Sequence, residues 1–495
     1  MLVRWVRRLA AATLAALCLA SSALAAEDGY SECYTYTYDY WVEYRESPDA
    51  YRVKTVLNSA SLGLDTHIKL PESIYVRGDD LYLCDTGNNR LLHLRRDGGG
   101  YSLVRIIDRC VGAEPETFNT PMDVFVDEQG QIFLCDMNNN RILKMDANAN
   151  YLMEFGKPSD ETFDQSLSYL PMKLVVDVTG RVFALAKNVN KGLIKYERDG
   201  AFTGFIGANK VRYNFIDYIW KLMSTKQQRA QQESFVPTEY DNIYMDREGF
   251  IFAVTTTYDV GHLMDGQANP IRRLNAIGND ILIKNDHYPP IGDLDWDDAA
   301  DVTGPSKLND ITVLDNDVYI ALDRVRGRLF GYDSQGIMLW AFGGVGNSDG
   351  RFLMPVAIDH MGYDLLVLDK TECSVTVFTP TEYGALIYGA SEAYTRGDYD
   401  KSADYWQDVL ALNANNALAH IGIGRAQLRA EQYKDAMDNF SLARDAKNYA
   451  DAFRLYRKEW VEHNIGWLFG GILALLLIPL AIGKIRKIRA EVNQS

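Results

Sequence analysis

The chain has 495 residues and a formal net charge of −16 at pH 7. A protein of this length is too large for one hydrophobic core, so we expect two or three folded units. The acidic balance excludes nucleic-acid binding through phosphate contacts, because that mode needs a basic face. Aromatic residues make up 12% of the chain and glycine is plentiful, which favours an all-β repeat protein over a disordered one.

The first 25 residues have the pattern of a secretory signal peptide. Three arginines precede an apolar run from Leu9 to Leu19, and Ala23 and Ala25 form a small-x-small cleavage site. We therefore expect the chain from residue 26 onward to be exported. Residues 26–50 include tyrosines that alternate with polar residues, which predicts an extended strand with a tyrosine face.

A ten-residue phrase occurs twice and indicates a repeat architecture. Leu-Cys-Asp-x-x-Asn-Asn-Arg-(Leu/Ile)-Leu spans 83–92 and recurs at 134–143. Each copy follows a proline, an apolar strand, a polar turn and a second apolar strand. Weaker copies of this lead-in start at later prolines, namely Pro171, Pro237, Pro305 and Pro355.

Six such units predict a mainly β fold, a six-bladed β-propeller over residues 51–380. The last unit has no clear fourth strand of its own. We therefore expect Tyr51–Leu57, at the front of the propeller, to complete that sheet and close the ring.

The proline-led strand pair followed by Asp-x-x-Asn-Asn-Arg resembles the NHL repeat of six-bladed propellers. The motif is complete in the first two units and degenerate in the middle ones, where Ala186 and Thr255 stand at the Asp position. The resemblance implies that the motif side chains bond loop backbone to the neighbouring blade, so we expect them to be structural. The repeated positions are Asp85, Asn88, Asn89, Arg90, Asp136, Asn139, Asn140 and Arg141.

A helical period replaces the strand alternation over residues 382–463. Two segments offset by 34 residues, Gly397–Ala403 and Glu431–Met437, resemble the tetratricopeptide repeat. The resemblance implies a groove for peptides or another protein, and a rigid stalk is the alternative. A last helix, Tyr449–His463, is expected to cap the stack through the side that bears Phe453 and Trp460.

Residues 465–483 carry no charged side chain and predict a transmembrane helix, because nineteen residues at about 1.5 Å each approach the thickness of the hydrocarbon core. The basic tail, 484–495, fits a cytoplasmic flank. With the signal peptide, this pattern predicts a single-pass cell-membrane protein whose propeller is extracytoplasmic and whose C-terminus is cytoplasmic. Gly466 and Gly470 form a Gly-x-x-x-Gly pair that favours helix dimerisation, although chance matches are common.

Five cysteines remain after signal removal, an odd number that cannot all pair. Cys84 and Cys135 occupy the same repeat position, and we expect both to be buried thiols. A bridge from Cys33 to Cys110 or Cys373 stays open.

The groups needed by a metal-dependent propeller enzyme do not stand out in the sequence. Such an enzyme needs several carboxylates or histidines that converge on the central channel. We expect the inner-strand positions to hold Cys84, Cys135 and apolar residues instead. The seven histidines show no metal-ligand spacing, and only His67, His262 and His360 are candidates to meet near the axis; the others are His93, His287, His420 and His463.

An acidic insertion, 284–303, is the one candidate cofactor site. Asp293, Asp295 and Asp297 alternate as in the opening of an EF-hand calcium loop, but Asp298 replaces that loop's glycine and Gly304 its closing glutamate. Calcium binding and a solvated acidic loop are therefore both open. Apart from calcium we expect no cofactor.

A second insertion, 209–233, predicts an amphipathic helix. Its apolar face either packs on the rim of a blade or contacts a partner or the bilayer. The residues of this face are Phe215, Ile219, Trp220, Leu222 and Met223.

These patterns favour a non-catalytic binding or scaffold protein, and the layout resembles that of bacterial envelope proteins. We expect a protein partner, such as a membrane transport or polysaccharide complex, and no nucleic acid. A membrane-tethered, metal-dependent, lactonase-like hydrolase or lyase is the alternative.

Overall fold

The computed structural model describes residues 33–39, 41–207, 240–258, 260–263, 266, 268–285, 288–294, 304–414 and 416–492. The signal segment and the insertion 209–233, with its predicted apolar face, lie outside the described residues. Within the described part, six sheets form a β-propeller and five helices follow it.

Three strands precede the first blade: β1 (Thr35–Tyr38), β2 (Tyr44–Ser47) and β3 (Tyr51–Leu57). Blade 1 contains β4 (Ser73–Arg77), β5 (Asp80–Asp85), β6 (Arg90–Asp97) and β7 (Gly100–Ile107). Blade 2 contains β8 (Pro121–Val126), β9 (Ile132–Asp136), β10 (Arg141–Met145) and β11 (Tyr151–Phe155). Blade 3 contains β12 (Pro171–Val176), β13 (Val182–Ala186), β14 (Leu193–Tyr196) and β15 (Phe202–Ile206).

Blade 4 contains β16 (Asn242–Met245), β17 (Ile251–Val254) and β18 (Ile271–Leu274). Blade 5 contains β19 (Leu308–Val313), β20 (Tyr319–Asp323), β21 (Arg328–Tyr332) and β22 (Met338–Gly343). Blade 6 contains β23 (Pro355–Met361), β24 (Asp364–Asp369) and β25 (Ser374–Pro380). The first strand of each blade contacts the first strand of the next, and β23 contacts β4, so the six inner strands form a closed ring.

The ring closes as the sequence predicts. β3 pairs antiparallel with β25, from Tyr51 opposite Pro380 to Leu57 opposite Val375, and so supplies the fourth strand of blade 6. The N-terminal end of the propeller thereby shares a sheet with its C-terminal end. This closure leaves no inner sheet edge open and confirms the six-bladed architecture.

The tyrosine-rich segment near the start forms a hairpin, β1 and β2, on the outer side of blade 5. Within the described residues one ladder pair joins the hairpin to that blade, between Tyr36 and Ala341 on β22. The hairpin therefore depends on side-chain contacts rather than on a long backbone ladder.

The helical region consists of α1 (Glu382–Thr395), α2 (Tyr399–Leu412), α3 (Ala417–Arg429), α4 (Tyr433–Leu442) and α5 (Ala446–Val492). Each helix packs on the next one in the chain. Small residues allow the close approach, because a Cβ at Gly422 would lie 2.3 Å from the Trp406 ring and one at Gly424 would lie 2.7 Å from Phe440. Gly424 therefore allows Phe440 of α4 to pack closely on α3.

The helical region is joined to the propeller by a shared hydrophobic core. Trp340 and Phe342 of blade 5 belong to the same buried cluster as Ile387, Tyr388 and Trp406 of the helices. The partly buried Arg425 of α3 also pairs with Asp333 of blade 5, at 2.5 Å. This packing makes blades 5 and 6 and the first helices one continuous structure.

The last helix, α5, continues without a break from the helical stack into the apolar segment. Its Ala446–Arg489 stretch is long and apolar enough to cross a membrane. The expected capping side is wrong, however, because α5 contacts the stack through the buried Ala452, while Phe453 and Trp460 are 44% and 48% exposed. The small side chain of Ala452 lets α5 approach α4 more closely than a Phe or Trp would.

Gly422→Ala tests the close approach between α2 and α3. The added methyl group would overlap the Trp406 ring, so we expect the free energy of unfolding to fall by about 1–3 kcal/mol, as for overpacked cores. Chemical denaturation followed by tryptophan fluorescence measures the change. Gly156→Ala is the control, because its Cβ would meet no atom within 4 Å; equal effects of the two substitutions would contradict the packing argument.

Candidate functional site

The repeated motif lies where blades are connected. Asp85 Oδ2 accepts hydrogen bonds from Arg90 Nε at 2.6 Å and from Asn88 Nδ2 at 2.8 Å. Arg90 and Asn88 also donate to the carbonyls of Thr66 and His67, in the segment that leads from β3 to β4. The motif side chains of blade 1 therefore fasten the chain that enters that blade.

Blade 2 repeats this arrangement. Asp136 Oδ2 accepts from Arg141 Nε at 3.0 Å and from Asn139 Nδ2 at 2.8 Å, and Arg141 donates to the carbonyl of Glu114. Asn89 and Asn140, the second asparagines of the two motifs, have φ values of +54° and +56°. Asn tolerates this left-handed conformation better than most residues, which explains its place in the turn.

The cysteines of the second strands do not line the channel. Cys84 and Cys135 are fully buried thiols inside the hydrophobic cores between blades, and Cys110 and Cys373 also form no disulfide. Burial raises the pKa of the Cys84 and Cys135 thiols well above the ordinary value. These residues are therefore packing groups, and the channel has to be sought on the first strands.

The first strands of all six blades enclose a central cavity of about 790 Å³. It opens on the face formed by the turns between the first and second strands, such as those at Asp127, Asp177 and Asp246. Its floor is formed by polar side chains at the start of the first strands. This cavity is the candidate functional site.

We call the residues at this level of the six first strands the axial ring, and four of them, Ser73, Asp123, Asn242 and Asp310, line the cavity. The residues of the ring occupy the same register position on the first strand of each of the six blades. In blade 1 this position is Ser73, which pairs with Cys84 of the second strand, and in blade 5 it is Asp310, which pairs with Leu322. The axial ring consists of Ser73, Asp123, Lys173, Asn242, Asp310 and Ala357. Five of the six side chains are polar, although the strands that carry them are otherwise largely apolar.

Carboxylates of the channel bond one blade to the next. Asp123 of blade 2 accepts from Ser73 Oγ of blade 1 and from the backbone N–H of Leu174 in blade 3, at 2.9 Å. Lys173 Nζ lies 3.8 Å from the same carboxylate. Asp123 thus contacts three consecutive blades through one side chain.

Two further carboxylates repeat this arrangement on the other side of the ring. Asp310 of blade 5 accepts from Asn242 of blade 4 and from Ile358 N of blade 6 at 2.7 Å. Asp359 of blade 6 accepts from Val76 N of blade 1 at 2.6 Å. The polar floor is therefore part of the framework as well as part of the cavity.

Burial changes the acidity of these groups. It raises the pKa of Asp310 and of Asp359 to about 7, and it also raises the pKa of Asp123. Burial alone would lower the pKa of Lys173, but the carboxylates of Asp123 and Asp310 outweigh it and raise that pKa. The raised pKa values of Asp310 and Asp359 therefore lie near neutral pH, and the ammonium group of Lys173 stands beside the ring of carboxyl groups.

A second polar cluster lies one step along the wall, around Asp359. Thr312 Oγ1 lies 2.7 Å from His360 Nδ1 and 3.3 Å from Asp359 Oδ1, and His360 Nδ1 lies 3.6 Å from the same oxygen. Burial lowers the pKa of His360 to about 4, so this imidazole is neutral at pH 7. Tyr244 lies beside it, with ring centroids 6.5 Å apart.

The three histidines considered near the axis separate in the structure. His360 lines the cavity, whereas His67 and His262 are exposed and do not. No group of three His, Cys, Asp or Glu side chains within the described residues is arranged to hold a metal ion. The channel groups therefore do not fit the metal centre of the alternative function.

The acidic insertion is only partly described. Asp293 is fully buried and accepts hydrogen bonds from the Tyr36 and Tyr38 hydroxyls and from Arg328. Asp295 and Asp297 lie outside the described residues. Calcium binding by this loop stays a prediction.

No protein-family model matches the chain, and a search of curated proteins finds no relative. Solved structures do match the propeller. A virginiamycin B lyase from Staphylococcus aureus is 12% identical and covers 66% of this chain and 99% of its own, with a TM-score of 0.37. A gluconolactonase from Xanthomonas campestris is 11% identical, covers 68% and 96%, and has a TM-score of 0.39.

A protein of unknown function from Bacteroides thetaiotaomicron is 11% identical, covers 70% and 76%, and has a TM-score of 0.41. These values describe a likeness of fold. Because the TM-scores are below 0.5, the activities of these three proteins are not transferred to this chain.

The expectation of a non-catalytic protein is wrong. Its premise was a channel without catalytic groups, and the channel contains Asp123, Asp310, Asp359 and His360. The carboxylates were missed because the inner position was assigned to the second strand of each blade, whereas the first strand lines the channel.

The raised pKa values predict how stability depends on pH. A carboxyl group whose pKa is about 7 when folded and 3.8 when unfolded binds more protons in the folded state between these values, so stability falls as pH rises through this interval. In Asp359→Asn this contribution is absent. We therefore expect the free energy of unfolding of the wild type, relative to the variant, to fall by at least about 1 kcal/mol between about pH 5 and pH 8.

Urea unfolding of both proteins across this pH range measures the difference. Asp349→Asn is the control, because Asp349 is exposed and remote from the channel. A difference between wild type and Asp359→Asn that does not change with pH would show that Asp359 has an ordinary pKa.

Proposed function

We propose that the protein is a membrane-tethered hydrolase or lyase that acts on a polar small molecule in the central channel of the propeller. The observation that carries this proposal is the cavity of about 790 Å³ whose floor and wall bring Asp310, Asp359 and His360 together. A pocket of this size is typical of sites for small-molecule ligands.

The proposed chemistry is general acid and base catalysis. A carboxyl group with a pKa near 7 is present in both protonation states at neutral pH, which is the condition for exchanging a proton with a substrate. Asp359 is the proposed proton carrier, since it lines the cavity beside His360. Thr312 is fully buried and does not line the cavity, so we propose that it positions the imidazole and the carboxylate.

The neighbouring imidazole has a different role. Because burial lowers the pKa of His360 to about 4, its ring is neutral and its Nδ1 contacts Thr312. We propose that this ring orients the substrate and accepts a proton from it during the reaction. Asp310 is the second carboxyl group that can supply a proton to a leaving group.

The charges around the cavity favour a substrate that is uncharged or cationic. The lining contains eight carboxyl groups and four basic side chains, the latter being Arg77, Lys144, Arg198 and Arg247. Two of these basic groups already lie near acids, with Arg77 at 3.6 Å from Glu128 and Arg247 at 3.7 Å from Asp317. An anionic substrate would therefore meet a net negative surface.

The last helix supports a proposal about the position of the protein in the cell. α5 is apolar enough to cross a membrane, and we propose that the propeller lies on the extracytoplasmic side and the C-terminal tail on the cytoplasmic side. The predicted protein partner is a separate proposal. It is supported by Phe453 and Trp460, whose exposed rings lie on the membrane-proximal part of α5.

Turnover by the purified full-length protein tests the enzymatic proposal. A panel of uncharged and amine-bearing lactones, esters and elimination substrates is screened by mass spectrometry. For any compound that is converted, we expect Asp359→Asn and His360→Gln each to lower the rate by at least about 100-fold, the usual contribution of a catalytic acid or base.

His420→Gln is the matched control, because His420 lies in α3 and contacts Asn439 of α4 rather than the channel. Its rate should equal that of the wild type. Rates that survive both channel substitutions, or a panel without any converted compound, would contradict the proposal.

A further inference from the structure

One motif arginine has a different partner from its equivalents. Arg90 and Arg141 lie opposite Asp85 and Asp136 in the strand register, and each donates through Nε to Oδ2 of that aspartate. In blade 5 the equivalent register pair is Asp323 and Arg328. Arg328, however, bonds to Asp293, outside its own blade.

This exchange leaves one oxygen of the blade 5 motif without a hydrogen bond. Asp323 Oδ1 accepts from the backbone N–H groups of Lys307, Val325 and Arg326, whereas Oδ2 accepts none from the described residues. The side chain is fully buried. Burial raises its pKa, while the nearby Ser306 hydroxyl and the backbone N–H groups act in the opposite direction.

Asp323 Oδ2 has no ionic partner among the described residues, so its lost hydration is less well compensated than that of a carboxylate oxygen that holds a guanidinium group. In blades 1 and 2 the same atom holds the motif arginine at 2.6 and 3.0 Å. Asp323 is therefore placed to receive Arg328 if that side chain leaves Asp293.

What holds Arg328 at Asp293 is the N-terminal hairpin. The Tyr36 hydroxyl donates to Asp293 at 2.8 Å, the Tyr38 hydroxyl donates to the same carboxylate, and the Arg328 guanidinium lies 5.4 Å from the Tyr36 ring centroid. The hairpin shares one ladder pair with β22 within the described residues, and Tyr36 also belongs to the hydrophobic core of blades 4 and 5, so these polar contacts are one part of its attachment.

The other end of the hairpin contacts the helical region. Arg444, between α4 and α5, lies over the ring of Trp41 in the hairpin turn, 4.5 Å from its centroid. The hairpin thus joins blade 5 to the base of the helix that runs toward the membrane.

We propose that the N-terminal hairpin is a releasable clasp between blade 5 and the base of α5, and that Arg328 transfers from Asp293 to Asp323 when the clasp opens. In the closed state of the clasp, Arg328, Tyr36 and Tyr38 all bond to the Asp293 carboxylate. Open, Arg328 and Asp323 form the same pair that blades 1 and 2 retain. The two states exchange one buried ion pair for another, and because opening also takes the buried Tyr36 ring out of the core, the open state is the minor one.

Hydrogen–deuterium exchange of the full-length protein in detergent micelles tests the clasp. The readout is the exchange of β1 and β2 amides relative to those of β5, so that a general loss of stability cancels. Asp293→Asn and Tyr38→Phe weaken the closed state, and we expect hairpin exchange to be about tenfold faster in each, the usual effect of losing a hydrogen bond to a charged group.

Asp323→Asn gives the discriminating result. It removes a partner that Arg328 has only in the open state, so we expect hairpin exchange to become several-fold slower than in the wild type. The double variant Asp293→Asn with Asp323→Asn should likewise exchange more slowly than Asp293→Asn alone. Asp136→Asn in blade 2 is the control and should leave hairpin exchange unchanged. Hairpin exchange that is unchanged or faster in Asp323→Asn would overturn the proposal.

Discussion

The structure depends on carboxylates that bond each inner strand to the next blade. Sheets in a propeller share no ladder hydrogen bonds with one another, so contacts between blades have to come from side chains and apolar packing. Asp123, Asp310 and Asp359 provide such contacts by accepting backbone N–H groups of the following blade. The same three groups line the cavity. Framework and candidate site are therefore built from the same atoms.

This dual use has an energetic consequence. A buried carboxyl group that is held by two or three hydrogen bonds keeps its position, but burial still disfavours its charge. The balance places Asp310 and Asp359 near neutrality, where a proton is exchanged at little cost. A site of this kind needs no movement of the backbone to change its protonation state. It also links the chemistry of the channel to the stability of the ring.

The architecture was largely accessible from the sequence because its signals are local. Proline-led strand pairs, the repeated motif and the missing last strand predict six blades and closure by Tyr51–Leu57, and the structure confirms both. The tetratricopeptide and NHL resemblances remain interpretations, since no family model matches. The prediction of the capping face of α5 was wrong because it assumed that the aromatic residues face the stack, whereas Ala452 makes the contact.

The residues that line the channel could not be predicted in the same way, although the sequence contains an indication of them. Ser73, Asp123 and Lys173 each stand two residues after a lead-in proline, where a polar residue interrupts an apolar strand. Sequence alone does not say which strand of a blade lies innermost, and this choice decides whether Cys84 or Ser73 belongs to the channel. The partner exchange of Arg328 is beyond sequence reasoning altogether, because Asp293 and Asp323 compete for it only in three dimensions.

The most direct test of the account is an infrared pH titration of the carboxyl groups in the full-length protein. The account predicts protonated carboxyl bands that disappear between about pH 6 and pH 8, with one component absent in Asp310→Asn and another in Asp359→Asn. Spectra in which every carboxyl group is already ionised at about pH 6 would contradict it, because the channel would then hold only ordinary structural carboxylates.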